Sequence, residues 1–160
     1  LFGTISVDLK YIIGGVIFLI ASLTDFIDGN IARKRNLVTD FGKVMDAIAD
    51  KVLVNGVLVV LACNGVINEI IPVIIITRDI FVDSIKMVAG SKGKAVGASI
   101  LGKLKTICMM SGLTLTFFYN IPFELINLDV ANGLLYIACV LSIISGVQYY
   151  LVNKEYFKEK

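Results

Sequence analysis

Long apolar runs broken by short polar ones dominate the chain. Five stretches, at about 9–31, 43–63, 67–89, 98–119 and 130–152, each approach the roughly 20 mostly apolar residues that a membrane-crossing helix needs. The segments between them, "RKRNLVTDFG", "NGVIN", "GSKGKAVG" and "NIPFELINLD", carry Gly, Asn, Pro and charge, as connections do. The pattern predicts an all-α, polytopic membrane helix bundle of one domain, residues 1–160. No internal repeat, linker or low-complexity tract divides it.

Composition agrees. Hydrophobic residues make up 57% and charged residues 18%. Soluble domains run at about 45–50% and about 25%. The net charge of +2 is too small to argue for a nucleic-acid partner. Its placement says more. Arg33, Lys34 and Arg35 fall in the first connection, Lys92 and Lys94 in the third, and Lys154, Lys158 and Lys160 after the last apolar run. The second and fourth connections have no Lys or Arg. Positive residues stay on the cytoplasmic side. That alternation predicts an integral protein of the cytoplasmic membrane, with its first, third and last basic segments in the cytoplasm. The chain opens on "LFGTISVDLK", without a methionine or a signal peptide, and its first helix would run inward. An earlier helix is therefore expected, making these the last five of six.

The chain has no histidine, so neither the commonest metal ligand nor the commonest general base is present. Cys63, Cys108 and Cys139 lie in or at the ends of apolar runs without metal-site spacing and read as small apolar fillers. Chemistry must rest largely on carboxylates, and these gather in one place: "TDFIDGNIARKRNLVTDFGKVMDAIADKV", from position 24. Asp25 and Asp28 are three apart, and Asp46 and Asp50 four apart. On helices, each pair shares a face. A short connection lets the two helices lie antiparallel, with the pairs facing each other. Four such carboxylates need protons or cations, because unit charges about 4 Å apart repel by about 4 kcal/mol at an effective dielectric near 20. Oxygen-only ligands favour Mg²⁺, Mn²⁺ or Ca²⁺. A four-carboxylate cluster suits a two-metal site for phosphoryl chemistry. Gly29 and Gly42 leave room for a ligand to approach the backbone, Ala32 is small, and Arg33 offers a planar fork for a phosphate. Asp40 reads as a capping or solvated residue. The plainer alternative is helix-end carboxylates paired with Arg33, Lys43 and Lys51.

Asp25, Asp28, Gly29, Ala32, Arg33, Gly42, Asp46 and Asp50 together resemble the signature of the CDP-alcohol phosphotransferases. These are six-helix membrane enzymes, generally homodimers, that transfer a substituted phosphate from a CDP-linked donor to an alcohol and release CMP. The resemblance implies that Asp25, Asp28, Asp46 and Asp50 bind Mg²⁺ or Mn²⁺, with Asp50 also the catalytic base. It implies that Asp25, Gly29, Ala32, Arg33 and Gly42 hold the nucleotide part of the donor.

Two further stretches bear on the acceptor. "ITRDIFVDSIK" puts Arg78, Asp79, Asp83 and Lys86 in the third helix, and "ASILGKLKT" puts Lys103 and Lys105 at the start of the fourth. One reading is an ion-pair network, with Asp83 reaching Lys86, and snorkelling lysines. The other is an anion pocket in which Arg78, Lys103 and Lys105 bind an acceptor's phosphate. These stretches resemble the phosphatidylglycerophosphate-synthase branch of the family, which implies CDP-diacylglycerol and glycerol 3-phosphate as substrates and membrane lipid around them. Phosphatidylinositol-phosphate, cardiolipin and phosphatidylserine synthases are alternatives within the family. A small cation transporter is the alternative outside it.

Overall fold

The computed structural model describes residues 8–34, 40–93, 96–97, 99–121, 123 and 128–154, with side chains for all of these except 25, 26, 30, 32–34, 40, 41, 43, 44 and 47. The described residues form five helices: α1 (Leu9–Lys34), α2 (Asp40–Cys63), α3 (Ile70–Ser91), α4 (Ile100–Phe117) and α5 (Val130–Asn153).

Each helix falls within a few residues of its apolar run, and local chemistry accounts for the differences. α2 starts at Asp40, three residues before its apolar run, so Asp40 belongs to the helix end rather than to a loop. α3 starts later than expected. Gly65 turns the chain at φ 70°, and the Asn68 side chain accepts from the Ile70 N–H at 2.9 Å. Pro72 lies in the first turn, where a missing N–H costs little. Ser99 caps α4 by accepting from the Gly102 N–H at 3.0 Å, and Asp129 caps α5 by accepting from the Asn132 N–H at 3.1 Å. Tyr119 and Asn120 carry positive φ of 53° and 56° beyond α4. The buried Asn120 side chain steadies that turn, donating to the Leu128 carbonyl and accepting from the Ala131 N–H.

α5 is the packing centre, lying against α3 and α4; α2 packs on α3, and α1 on α4. Its buried face runs Ala131, Leu135, Ala138, Ser142, Ser145 and Tyr149. Small residues at such spacing let helix backbones approach closely, which favours association in lipid. Leu58, Leu61, Ile71, Ile75 and Leu113 fill the core beside Leu135. On α1, a Cβ at Gly15 would stand 2.7 Å from the Phe117 Cβ, so only glycine permits this approach of α1 to α4. Cys139 is buried in the core, Cys108 half-buried and Cys63 exposed, all as free thiols.

The outside is as apolar as the inside. Ile17, Ile20, Val60, Ile80, Ile107, Val140 and Val152 are all more than half exposed. Such a surface is at home in hydrocarbon, with the backbone satisfied within each helix. By length and composition, Leu9–Gly29, Ile100–Phe117 and Val130–Asn153 can each cross a membrane. The chain is therefore an all-helical membrane protein with three such helices among the described residues. α2 and α3 carry charged residues within their lengths, among them Asp46, Asp50, Arg78 and Asp79.

Candidate active site

The aspartate motif spans the end of α1 and the start of α2. Asp25, Asp28, Gly29, Ala32 and Arg33 lie on α1. Gly42, Asp46 and Asp50 lie on α2. The side chains of Asp25, Ala32 and Arg33 lie outside the described residues. Those of Asp28, Asp46 and Asp50 are exposed. A Cβ added at Gly29 would meet nothing within 4 Å, so open space adjoins the backbone there. Among the described residues, no group of three or more acidic or Cys side chains is placed to hold a metal ion, and the set excludes the Asp25 carboxylate. The donors themselves are all carboxylate oxygens, which suits a hard divalent cation.

A cavity of about 270 Å³ opens beside Asp50, where the middle of α2 and the N-terminal part of α4 meet the C-terminal parts of α3 and α5. Arg78, Lys103 and Lys105 all line it. At its base, Asp79 takes two cations at once. Lys105 Nζ lies 3.0 and 2.9 Å from its two carboxylate oxygens, and Arg78 Nη1 lies 2.9 Å from Oδ1. Arg78 Nη2 donates to Ser145 Oγ at 2.8 Å, and that hydroxyl donates to the Ser142 carbonyl at 3.0 Å. The Lys105 side chain is only 3% exposed, so it does not snorkel; Lys103 is exposed at the rim.

Asp83 does not turn to Lys86, as spacing on one helix suggested. It pairs with Lys51 on α2, tying the helix that carries Asp50 to the wall of the cavity. Lys86 instead lies over the ring of Tyr149, its ammonium 5.8 Å from the centroid. The ion pairs and the remaining cationic side chains thus share one cavity. Five cationic side chains (Lys51, Arg78, Lys86, Lys103 and Lys105) face the cavity against three carboxylates (Asp50, Asp79 and Asp83). The surplus is positive, a charge balance that favours an anion over a cation.

The sequence marks neither Tyr149 nor Ser145, which lie in an apolar run with no charge beside them. Lys51, a candidate partner for the helix-end aspartates, pairs with Asp83 on α3. The two-residue step between Lys103 and Lys105 turns one inward and the other outward.

Arg78 has a second face. Its stem contacts Gly146, where an added Cβ would lie 3.3 Å from the Arg78 Cγ. It also lines an apolar groove of about 520 Å³ between α3 and α5, with Phe81, Ile143, Val147 and Tyr150.

The sequence model of the family described as CDP-alcohol phosphatidyltransferase matches residues 1–144. The chain belongs to that family. A CDP-alcohol phosphatidyltransferase relative from Bacillus subtilis, named CDP-diacylglycerol–glycerol-3-phosphate 3-phosphatidyltransferase, is 36% identical over 156 residues, 98% of this chain and 81% of its own. A Rickettsia bellii protein of the same name is 39% identical over 150 residues, 93% of this chain and 83% of its own. An Arabidopsis thaliana protein with that name and the number 2 is 34% identical over 148 residues, 83% of this chain and 63% of its own. Membership makes the chain a phosphatidyltransferase, and it gives the eight-residue motif and the neighbouring cavity a common context.

Proposed function

We propose that this chain transfers the phosphatidyl group of CDP-diacylglycerol to glycerol 3-phosphate, giving phosphatidylglycerophosphate and CMP. The observation that carries the reading is the cavity in which Arg78, Lys103 and Lys105 stand beside Asp50. An acceptor with its own phosphate brings close to two negative charges at neutral pH, since the second phosphate pKa is about 6. That charge matches the cavity's positive surplus. The names of the relatives support the same substrates.

The acceptor phosphate binds Arg78, Lys103 and Lys105, and its far hydroxyl is thereby held toward Asp50. Asp50 takes the hydroxyl proton as the oxygen attacks the donor phosphorus that carries diacylglycerol. The new P–O bond forms, the bond to CMP breaks, and CMP leaves with the electron pair. Asp25, Gly29, Ala32, Arg33 and Gly42 hold the nucleotide part of the donor. Asp25, Asp28, Asp46 and Asp50 would hold Mg²⁺ or Mn²⁺ in a two-metal site, which when bound neutralises the diphosphate and favours departure of CMP.

In this reading all five helices cross the cytoplasmic membrane, and the protein is a homodimer. The basic segments place the aspartates and the cavity at the cytoplasmic face, so a water-soluble acceptor meets a lipid donor at headgroup depth.

The test is CMP release by the full-length protein in detergent with CDP-diacylglycerol and Mg²⁺. Glycerol 3-phosphate, inositol phosphate, serine and phosphatidylglycerol are compared as acceptors. Release with glycerol 3-phosphate alone is expected. Release with a different acceptor alone would discard the acceptor assignment and keep the aspartate chemistry. No release with any of them would remove the transferase reading of this chain.

A further inference from the structure

Tyr149 lies on α5, outside the aspartate motif and outside the ion-pair network, yet it touches both walls of the cavity. It is 6% exposed. Its hydroxyl is used twice: it accepts from the Ser99 N–H at 2.8 Å and donates to the Gly97 carbonyl at 2.9 Å. Ser99 is the N-cap of α4, the helix whose first turns carry Lys103 and Lys105. The ring of Tyr149 faces α3. The Arg78 guanidinium carbon lies 5.7 Å from its centroid and the Lys86 ammonium 5.8 Å. Both are within the range where an aromatic face attracts a cation.

We infer that Tyr149 is a positioning residue for the acceptor's phosphate, holding the cations of two helices in one register. The hydroxyl fixes where α4 begins, and through the first turn of that helix it sets the depth of Lys103 and Lys105. The ring gives Arg78 and Lys86 one shared face, so both stay beside the cavity against their mutual repulsion and the pull of Asp79 and Asp83. A rigid ring with two torsions does so at little entropic cost. The inference rests on the acceptor reading given above.

Two variants separate the two contacts. Tyr149→Phe keeps the ring and removes both hydroxyl bonds; Tyr149→Leu removes ring and hydroxyl. The full-length proteins are compared in detergent by turnover and by titration with inorganic phosphate, followed by phosphorus NMR. Tyr149→Phe is expected to raise the KM for glycerol 3-phosphate and the phosphate Kd about fivefold, the worth of a net hydrogen bond. Tyr149→Leu is expected to raise both about 30-fold, because the cations also lose the ring. The KM for CDP-diacylglycerol should stay within twofold in each. Equal rises in both KM values, or a lowered Tm with both KM values unchanged, would overturn the role. If wild type binds phosphate, the variants lose that binding, and no protein turns over glycerol 3-phosphate, Tyr149 keeps its role and the choice of acceptor falls. A wild type that binds no phosphate overturns both.

Discussion

The two ends of α4 solve opposite problems with the same residue. At Gly112 an added Cβ would stand 3.0 Å from the Leu135 side chain and 3.2 Å from the Ala131 carbonyl, so glycine there lets two helix backbones close together. At Gly102 it would stand 3.4 Å from Arg78 Nη2 and 3.2 Å from Ser99 Oγ, so glycine there makes room for a cation and a cap. Leu135, which faces Gly112, belongs to an apolar cluster with Leu58, Ile71, Ile75 and Leu113, each making many weak and replaceable contacts. Around Gly102 a handful of groups share each other: one carboxylate for two cations, one serine for a guanidinium, one tyrosine for a helix cap. The first end can absorb change; the second transmits it.

The comparison breaks most sharply at Asp50. Asp50→Asn should lower turnover at least about 100-fold, the lower bound for loss of a general base, while Tm in detergent stays within a degree or two. A variant that keeps its activity would take Asp50 out of the reaction. Asp79→Ala should do the reverse. It leaves Lys105 buried without its counter-charge, and breaking a buried pair in this way costs about 3–5 kcal/mol. Thermal unfolding in detergent should report a clear loss of stability together with weaker phosphate binding; an unchanged Tm would mean that Lys105 finds another partner.

The two glycines then test the contrast directly. Gly112→Val should cost about 1–3 kcal/mol by overpacking against Leu135, seen as a lower Tm, with the acceptor KM unmoved in whatever fraction stays folded. Gly102→Ala should push the capping Ser99 hydroxyl aside by a few tenths of an ångström and set a methyl against Arg78. It should raise the acceptor KM severalfold with little change in Tm. If both glycines behave alike, the division of α4 into a packing end and a working end is wrong. The smallest effect belongs to Lys51→Met. Its pair with Asp83 is 38% exposed on both sides, and such pairs are worth about 1 kcal/mol or less. A shift in kcat larger than the shift in stability would point to Asp50 being steered through its neighbour.

Much of this was legible in the sequence. The apolar runs marked every described helix, because lipid imposes a length and a polarity that few other environments do. The aspartates stood out because charge beside such runs is costly. What the sequence concealed were contacts between helices. Asp79 serving both Arg78 and Lys105, and Asp83 choosing Lys51 over Lys86, depend on rotation of whole helices about their axes, which spacing within one helix does not encode. Tyr149 was invisible for a different reason. An aromatic in an apolar run looks like filler until the loop that meets its hydroxyl is in place.

Arg78 lines both the charge-lined cavity and the apolar groove between α3 and α5, and so it is a partition between them. On one side is the proposed acceptor space; on the other, a slot of about 520 Å³ open to the surface. With all five helices in the membrane, as proposed, compounds that dissolve in the bilayer would reach that slot sideways, without passing through water. A wedge-shaped apolar molecule lodged against Phe81 and Val147 would press on the arginine stem from behind. It would weaken acceptor binding without resembling any substrate. For inhibitor discovery, the back of the wall is a more distinctive target than the front.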